Sequence, residues 1–169
     1  MTQLLGEYLG ATYRLAVLSS LDAPFPHIDS CRYFRLVIFL DDSQIADSDA
    51  LNAFINSSLD AGARSVLCGG SAGEQVHNAF DDVIVERGEV NKELYDPEKG
   101  HFIATAWHDD EPVDEVLWQA VGLGMGCDDF DSHTPTIIVA VLATDPRIVE
   151  IKRLATDFIS SMNAVVDHA

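Results

Sequence analysis

"TIIVAVLATDPRIVEIKRLATDFI", residues 136–159, carries the fold in one unbroken stretch. The run "TIIVAVLA" (136–143) has no polar alternation, the pattern of a strand buried on both faces. Thr144, Asp145 and Pro146 then supply the acid cap and first-turn proline with which helices begin. Ile148, Ile151, Ala155, Phe158, Ile159 and Met162 follow at the spacing of one helical face. A doubly buried strand leading into an amphipathic helix is the repeating unit of a parallel sheet.

The same unit recurs three times upstream. "RLVIFL" (35–40) ends in Asp41-Asp42, and a helix is predicted from Ser48 or Asp49. Its inward face is Leu51, Phe54, Ile55 and Leu59, with Gly62 where a C-cap glycine belongs. "SVLC" (65–68) enters a glycine turn, and Val76, Ala79, Phe80, Val83 and Ile84 form the next stripe, stopped by Gly88. The polar connection "EVNKELYDPEKG" leads to a strand "HFIATAW" (101–107). Asp110 and Pro112 announce the third helix, with Val113, Val116, Leu117, Ala120 and Val121 facing inward. At least four β-α units predict an α/β three-layer sandwich with a mainly parallel sheet, Rossmann-like or flavodoxin-like. With no repeat or linker, residues 1–169 read as a single domain. Residues 1–30 are an N-terminal extension in which "TYRLAVLSS" can add an edge strand, and "DAPFPH" is a proline-punctuated connection.

Charge is the strongest compositional signal. Twenty-eight acids oppose ten bases for a net charge of −18, and Lys and Arg are absent between Lys99 and Arg147, where nine acids occur. Such a surface repels nucleic acid and anionic membranes and suits a basic protein partner or a cation. No apolar run approaches the roughly 18 residues of a membrane span, and the N-terminus lacks the basic region of a secretory signal. A cytoplasmic location is therefore expected. Cys31, Cys68 and Cys127 have no C-x-x-C spacing, which disfavours both a disulfide framework and a zinc cage.

In an open parallel sheet, ligands bind beyond the carboxyl ends of the strands. Those ends here carry Asp41 and Asp42, Gly69 to Gly73, Trp107 to Asp110, and Thr144 with Asp145; His133 falls at the opposite edge. Gly69, Ser71 and Gly73 spell G-x-S-x-G after a strand and before a helix, a segment that resembles the nucleophile elbow of α/β-hydrolases. The resemblance implies Ser71 as nucleophile, His108 as its base and Asp42, Asp109 or Asp145 orienting the imidazole. It covers about a dozen residues, lacks a His-Gly-Gly segment for an oxyanion hole, and would need His168 to keep that family's chain order. The same letters spell a capping box, Ser71 with Glu74, and capping is the reading adopted for this serine. His77 and Asp81, one turn apart on the second helix, read as a local surface pair.

Asp41, Asp42 and Asp109 could together hold magnesium or calcium, since hard cations want several carboxylate oxygens. This arrangement is similar to a response-regulator receiver, whose lysine after a fifth strand has no counterpart here. No cofactor is otherwise called for: neither phosphate-loop pattern is present, and no base lies near "GGSAG" to meet an anion. The third candidate is a protein-binding face. "AWHDDEPVDEVLW" places Trp107 and Trp118 among Asp109, Asp110, Glu111, Asp114 and Glu115, while "DDFDSH" adds Asp128, Asp129 and Phe130. Trp118 lies about 140° from Val113 on a helical wheel, off the buried stripe, as an anchor for a basic partner would. The segments "H-x-x-E-P-x-D-E-x-L-W" and "GEQVHNAFDD" loosely resemble small uncharacterised bacterial α/β proteins over about half of the chain, which implies no activity. The function expected is a small, acidic, non-catalytic binding protein of the immunity or inhibitor type. The alternatives are a small serine hydrolase and a cation-dependent receiver-like domain.

Overall fold

The computed structural model describes residues 2–8, 10–28, 32–92, 95–96, 101–122 and 136–166. Its elements in chain order are β1 (Thr2–Tyr8), β2 (Ala11–Leu18), β3 (Phe34–Phe39), α1 (Ser48–Ala61), β4 (Ala63–Gly69) and α2 (Gly73–Val90). A two-stranded ribbon of β5 (Tyr95–Asp96) and β6 (His101–Phe102) follows, then β7 (Ala104–His108), α3 (Val113–Gly122), β8 (Thr136–Leu142) and α4 (Ile148–Val166).

Six strands form one sheet in the order β1-β2-β8-β3-β4-β7, parallel throughout except for the antiparallel β1–β2 pair. The apolar run of β8 is the central strand, buried at every residue, with β2 and β3 in register on its two sides. Its neighbours place Ala16 and Ile38 against Ala140. Numbered in chain order, the five parallel strands run 1-5-2-3-4 across the sheet, whereas the two common doubly wound orders are 3-2-1-4-5-6 and 2-1-3-4-5.

Two apolar cores lie on the two faces. One packs Leu51, Phe54 and Ile55 of α1 and Val76, Phe80 and Ile84 of α2 against Leu36, Ile38, Val66 and Ile138. The other packs Val116, Leu117 and Ala120 of α3 and Ile151, Ala155 and Ile159 of α4 against Val37, Phe39, Leu67 and Val139. The division follows from direction. The chain steps one way across the sheet through β3, β4 and β7, then returns to the centre for β8, and a crossover of fixed hand changes face when it reverses direction. The result is the expected α/β sandwich of three layers.

Several boundaries move. "TYRLAVL" lies within β2, which is internal rather than at an edge; the edge strand is β1, joined to it by a tight hairpin. "HFIATAW" is divided, because His101 and Phe102 pair with Tyr95 and Asp96 while only Ala104–His108 join the main sheet. Gly62 does end α1, at φ 112, its N–H donating to the carbonyls of Leu59 and Ser58. Helix α1 starts on Asp47, whose carboxylate accepts from the backbone of Asp49 and Ala50. Asp110 does not cap α3: it sits two residues upstream of Pro112 in the left-handed region, at φ 54, and Pro112 takes the first helical bonds through its carbonyl. Cys31, Cys127, His133 and His168 lie outside the described residues.

Candidate functional site

The carboxyl edge of the sheet gathers the singled-out residues, and the glycine turn at its centre explains its own letters. Gly70 has φ 92, and a Cβ there would stand 2.2 Å from the Leu40 carbonyl oxygen. At Gly69 it would press on the Phe39 ring at 2.8 Å, and at Gly73 on an Asp109 carboxylate oxygen at 2.6 Å. The turn is stitched to the end of β3 by Leu40 N–H to the Gly69 carbonyl at 3.0 Å and Ala72 N–H to the Leu40 carbonyl at 3.2 Å. Glycine is therefore required here by close backbone approach. The residue held at positive φ is Gly70 and not Ser71, unlike a strained nucleophile.

Neither reading of Ser71 matches its contacts. Its exposed hydroxyl donates to Asp42 Oδ2 and accepts from the Asp42 backbone N–H, both at 3.3 Å. The capping box does not form, because Ala72 occupies the N-cap position of α2 without a side-chain bond. Asp109 reaches across from the end of β7 instead, accepting from the Glu74 N–H at 2.9 Å. His108 does stand on the neighbouring strand, opposite Gly69. Side chains alternate along a strand, and Trp107 packs against His77 of α2 with ring centroids 4.7 Å apart and the rings tilted by 35°. His108 consequently points to the α3 face, where its Nδ1 meets Glu111 at 3.0 Å and its Nε2 is buried without a partner among the described residues. Ser71 and His108 are not joined by a hydrogen bond.

The suggested cation ligands are likewise spoken for. Asp41 pairs with Arg147 at 3.1 Å, Asp42 with Ser71, and Asp109 with the start of α2. Among the described residues no group of three or more His, Cys, Asp or Glu side chains converges as a metal would need.

A network that sequence reasoning missed joins the ends of β3 and β8. Asp145 is 1% exposed, and the Arg147 guanidinium forks onto it through Nε at 3.1 Å and Nη2 at 2.8 Å. The Arg147 backbone N–H adds a bond at 2.7 Å, and Gln44 Nε2 another at 3.1 Å. Burial alone would raise the Asp145 carboxyl, but these donors outweigh it and hold the group below the ordinary carboxylate value. Gln44 in turn accepts the Asp41 N–H at 2.8 Å. The signal available beforehand was Arg147 itself, the first base after a long base-free stretch, inside the turn Asp145-Pro146-Arg147.

The protein-binding candidates lie on β7, on α3 and in the turn between them. Trp118 is 57% exposed and Trp107 48%. Asp109, Asp110, Glu111, Asp114 and Glu115 are all exposed, and among the described residues no Lys or Arg pairs with them. Asp114 and Glu115 also stand in the first turn of α3, where the helix dipole favours negative charge. Asp128, Asp129 and Phe130 lie outside the described residues. The His77–Asp81 pair forms at 3.4 Å, and Asp81 also accepts from Thr105 of β7 at 2.6 Å, so it pins α2 to the edge strand. Cys68 is free and fully buried, its thiol pushed up by burial, which makes it inert. Among the described residues no helix is long and apolar enough to cross a membrane.

A family model described as a domain of unknown function (DUF7684) matches residues 14–158, most of the chain and every strand from β3 to β8. No curated protein and no solved structure matches.

Proposed function

The chain belongs to the DUF7684 family, a domain of unknown function, and we propose from its own residues that it is a non-catalytic acidic module that captures a basic protein partner. The docking face is the β7–α3 end of the sheet, with Trp118 as anchor. Asp114 and Glu115 precede it by one helical turn, Asp109, Asp110 and Glu111 stand in the chain just before the helix, and Asp128, Asp129 and Phe130 extend the same acidic sequence. One observation carries the reading: a tryptophan more than half exposed stands one helical turn after the exposed Asp114 and Glu115, and among the described residues no Lys or Arg pairs with these acids. A large aromatic left in water is unfavourable for a monomer, and tryptophan is among the residues that dominate binding energy when covered. The acids steer a basic partner by long-range attraction and repel acidic competitors. Neutralising a basic toxin or enzyme, as immunity and inhibitor proteins do, uses this surface directly. A cytoplasmic setting fits such a role, and we place the fold among doubly wound sandwiches of the Rossmann-like or flavodoxin-like kind, with its own strand order.

The test is partner retention on the immobilised chain, wild type beside Trp118→Ala and Asp114→Asn/Glu115→Gln, with the bound protein identified by mass. A basic protein held at low salt and lost in the Trp118 variant supports the reading. A partner that is acidic, or held equally by all three, refutes it.

A further inference from the structure

A second site follows from the topology at the opposite end of the carboxyl edge. The connections leaving β2 and β3 both pass to the α1 face, where Leu21, Phe25 and Ile28 join the core, while the chain leaving β8 between them passes to the α4 face. Adjacent parallel strands whose connections part to opposite faces leave a crevice above their carboxyl ends, and ligands of open α/β sheets bind there. Here the crevice is real: a groove of ≈ 630 Å³ opens over the end of β8, between residues 19–22 and 41–50. It is three strands away from β7 and shares no residue with the Trp118 face.

We propose that this groove binds a small organic cation, an aliphatic ammonium compound of the diamine or polyamine class. The lining selects for it. Asp22, Asp41 and Asp47 are the charged groups of the lining, which holds no Lys, Arg or His among the described residues; Arg147 behind it offsets Asp41 at 3.1 Å, and Asp22 and Asp47 are left to repel a phosphate or carboxylate ligand. Hydroxyls of Ser19, Ser20, Ser43 and Thr144 accept hydrogen bonds from ammonium N–H groups, which have donors and no acceptor. Leu21, Leu142 and Pro146 give an alkyl chain an apolar floor. The wall is also preorganised: Asp41 is held by Arg147 at 3.1 Å and by the Gln44–Asp145 network behind it, so little ordering is left for the ligand to impose.

The experiment is a ¹H–¹⁵N correlation titration of the full chain with spermidine in 150 mM sodium chloride, a salt level chosen at about the physiological value to suppress loose counterion binding. Saturable shifts confined to residues 19–22, 41–47 and 142–146 are expected. Asp22→Asn, which removes an exposed carboxylate, weakens binding about two- to five-fold, and Ser20→Trp, which fills the groove, abolishes it. Asp114→Asn leaves it unchanged, which separates this site from the docking face. Shifts spread over the acidic surface, or binding indifferent to both groove variants, overturn the proposal. So does equal occupancy by inorganic phosphate or by neutral sorbitol. If Ser20→Trp fails to fold, Asp22→Asn alone decides.

Discussion

Replacing Gly70 by alanine is the sharpest way to ask what "GGSAG" is for. A residue with a Cβ at φ 92 costs about 1–2 kcal/mol from the left-handed backbone alone. The new atom would also stand 2.2 Å from the Leu40 carbonyl oxygen, which is backbone and cannot swing aside. Relieving that overlap means parting the turn from the end of β3, where the 3.0 Å and 3.2 Å hydrogen bonds hold it. Overpacking of this kind costs about 1–3 kcal/mol. The sum, about 2–5 kcal/mol, is a large part of a domain's usual stability of about 5–15 kcal/mol. In urea, with a slope of about 2 kcal/mol per molar, the unfolding midpoint falls by about 1–2.5 M. Ser71→Ala in the same assay loses only exposed 3.3 Å hydrogen bonds to Asp42 and moves stability by under about 0.5 kcal/mol. Equal midpoints for Gly70→Ala and wild type would refute the packing account of the motif.

Other consequences are as direct. Arg147→Ala leaves Asp145 buried without its main partner and costs about 2–4 kcal/mol. Because the folded Asp145 carboxyl lies below its unfolded value, its contribution is present above about pH 4 and is lost as pH falls through the folded value. Thermal melts should therefore show a gap between wild type and the variant that is full at pH 7 and narrows as pH falls toward 3, and a gap that does not change with pH counts against the network. Tyr13 is wholly buried, its hydroxyl has no partner among the described residues, and burial pushes its pKa up to about 12. Its raised value means stability intact below about pH 10 and declining from there to about 12. Tyr13→Phe should gain about 1 kcal/mol at neutral pH and flatten the alkaline decline; a loss of stability would show that the hydroxyl is satisfied. Ser71 should stay unlabelled by a fluorophosphonate probe, since no imidazole of the described residues is hydrogen-bonded to its hydroxyl; labelling abolished by Ser71→Ala would restore a hydrolase.

The strand–helix units were legible because burial on both faces leaves a continuous apolar run, and β3, β4 and β8 have nothing else to signal. Residues 1–18 were harder to read: Thr12 and Arg14 break the apolar pattern of β2, though that strand lies next to the sheet's centre. The short β5–β6 ribbon depends on a pairing between Tyr95 and Phe102 that no local periodicity announces. At the site, sequence placed Ser71, His108 and Asp109 at one sheet edge and could not tell which face each would take. Alternation along β7 decides that, sending Trp107 toward α2 and His108 toward α3. The Ser71–Glu74 capping pattern lost to Asp109, a residue 35 positions away from Glu74 in the chain that reaches the same N–H. The Asp145–Arg147–Gln44 network was hidden for the same reason, because Gln44 and Asp145 meet only through the β3–β8 pairing.

The most direct test of the acidic-module reading is the salt dependence of partner affinity, measured by titrating the retained partner onto wild type and Trp118→Ala from 50 to 500 mM sodium chloride. The account requires wild-type affinity to fall steeply with salt as the exposed carboxylates are screened. It also requires the tryptophan variant to be weaker by about 2 kcal/mol or more throughout, while its melting temperature stays at the wild-type value. Affinity that is flat in salt and indifferent to Trp118 would contradict it.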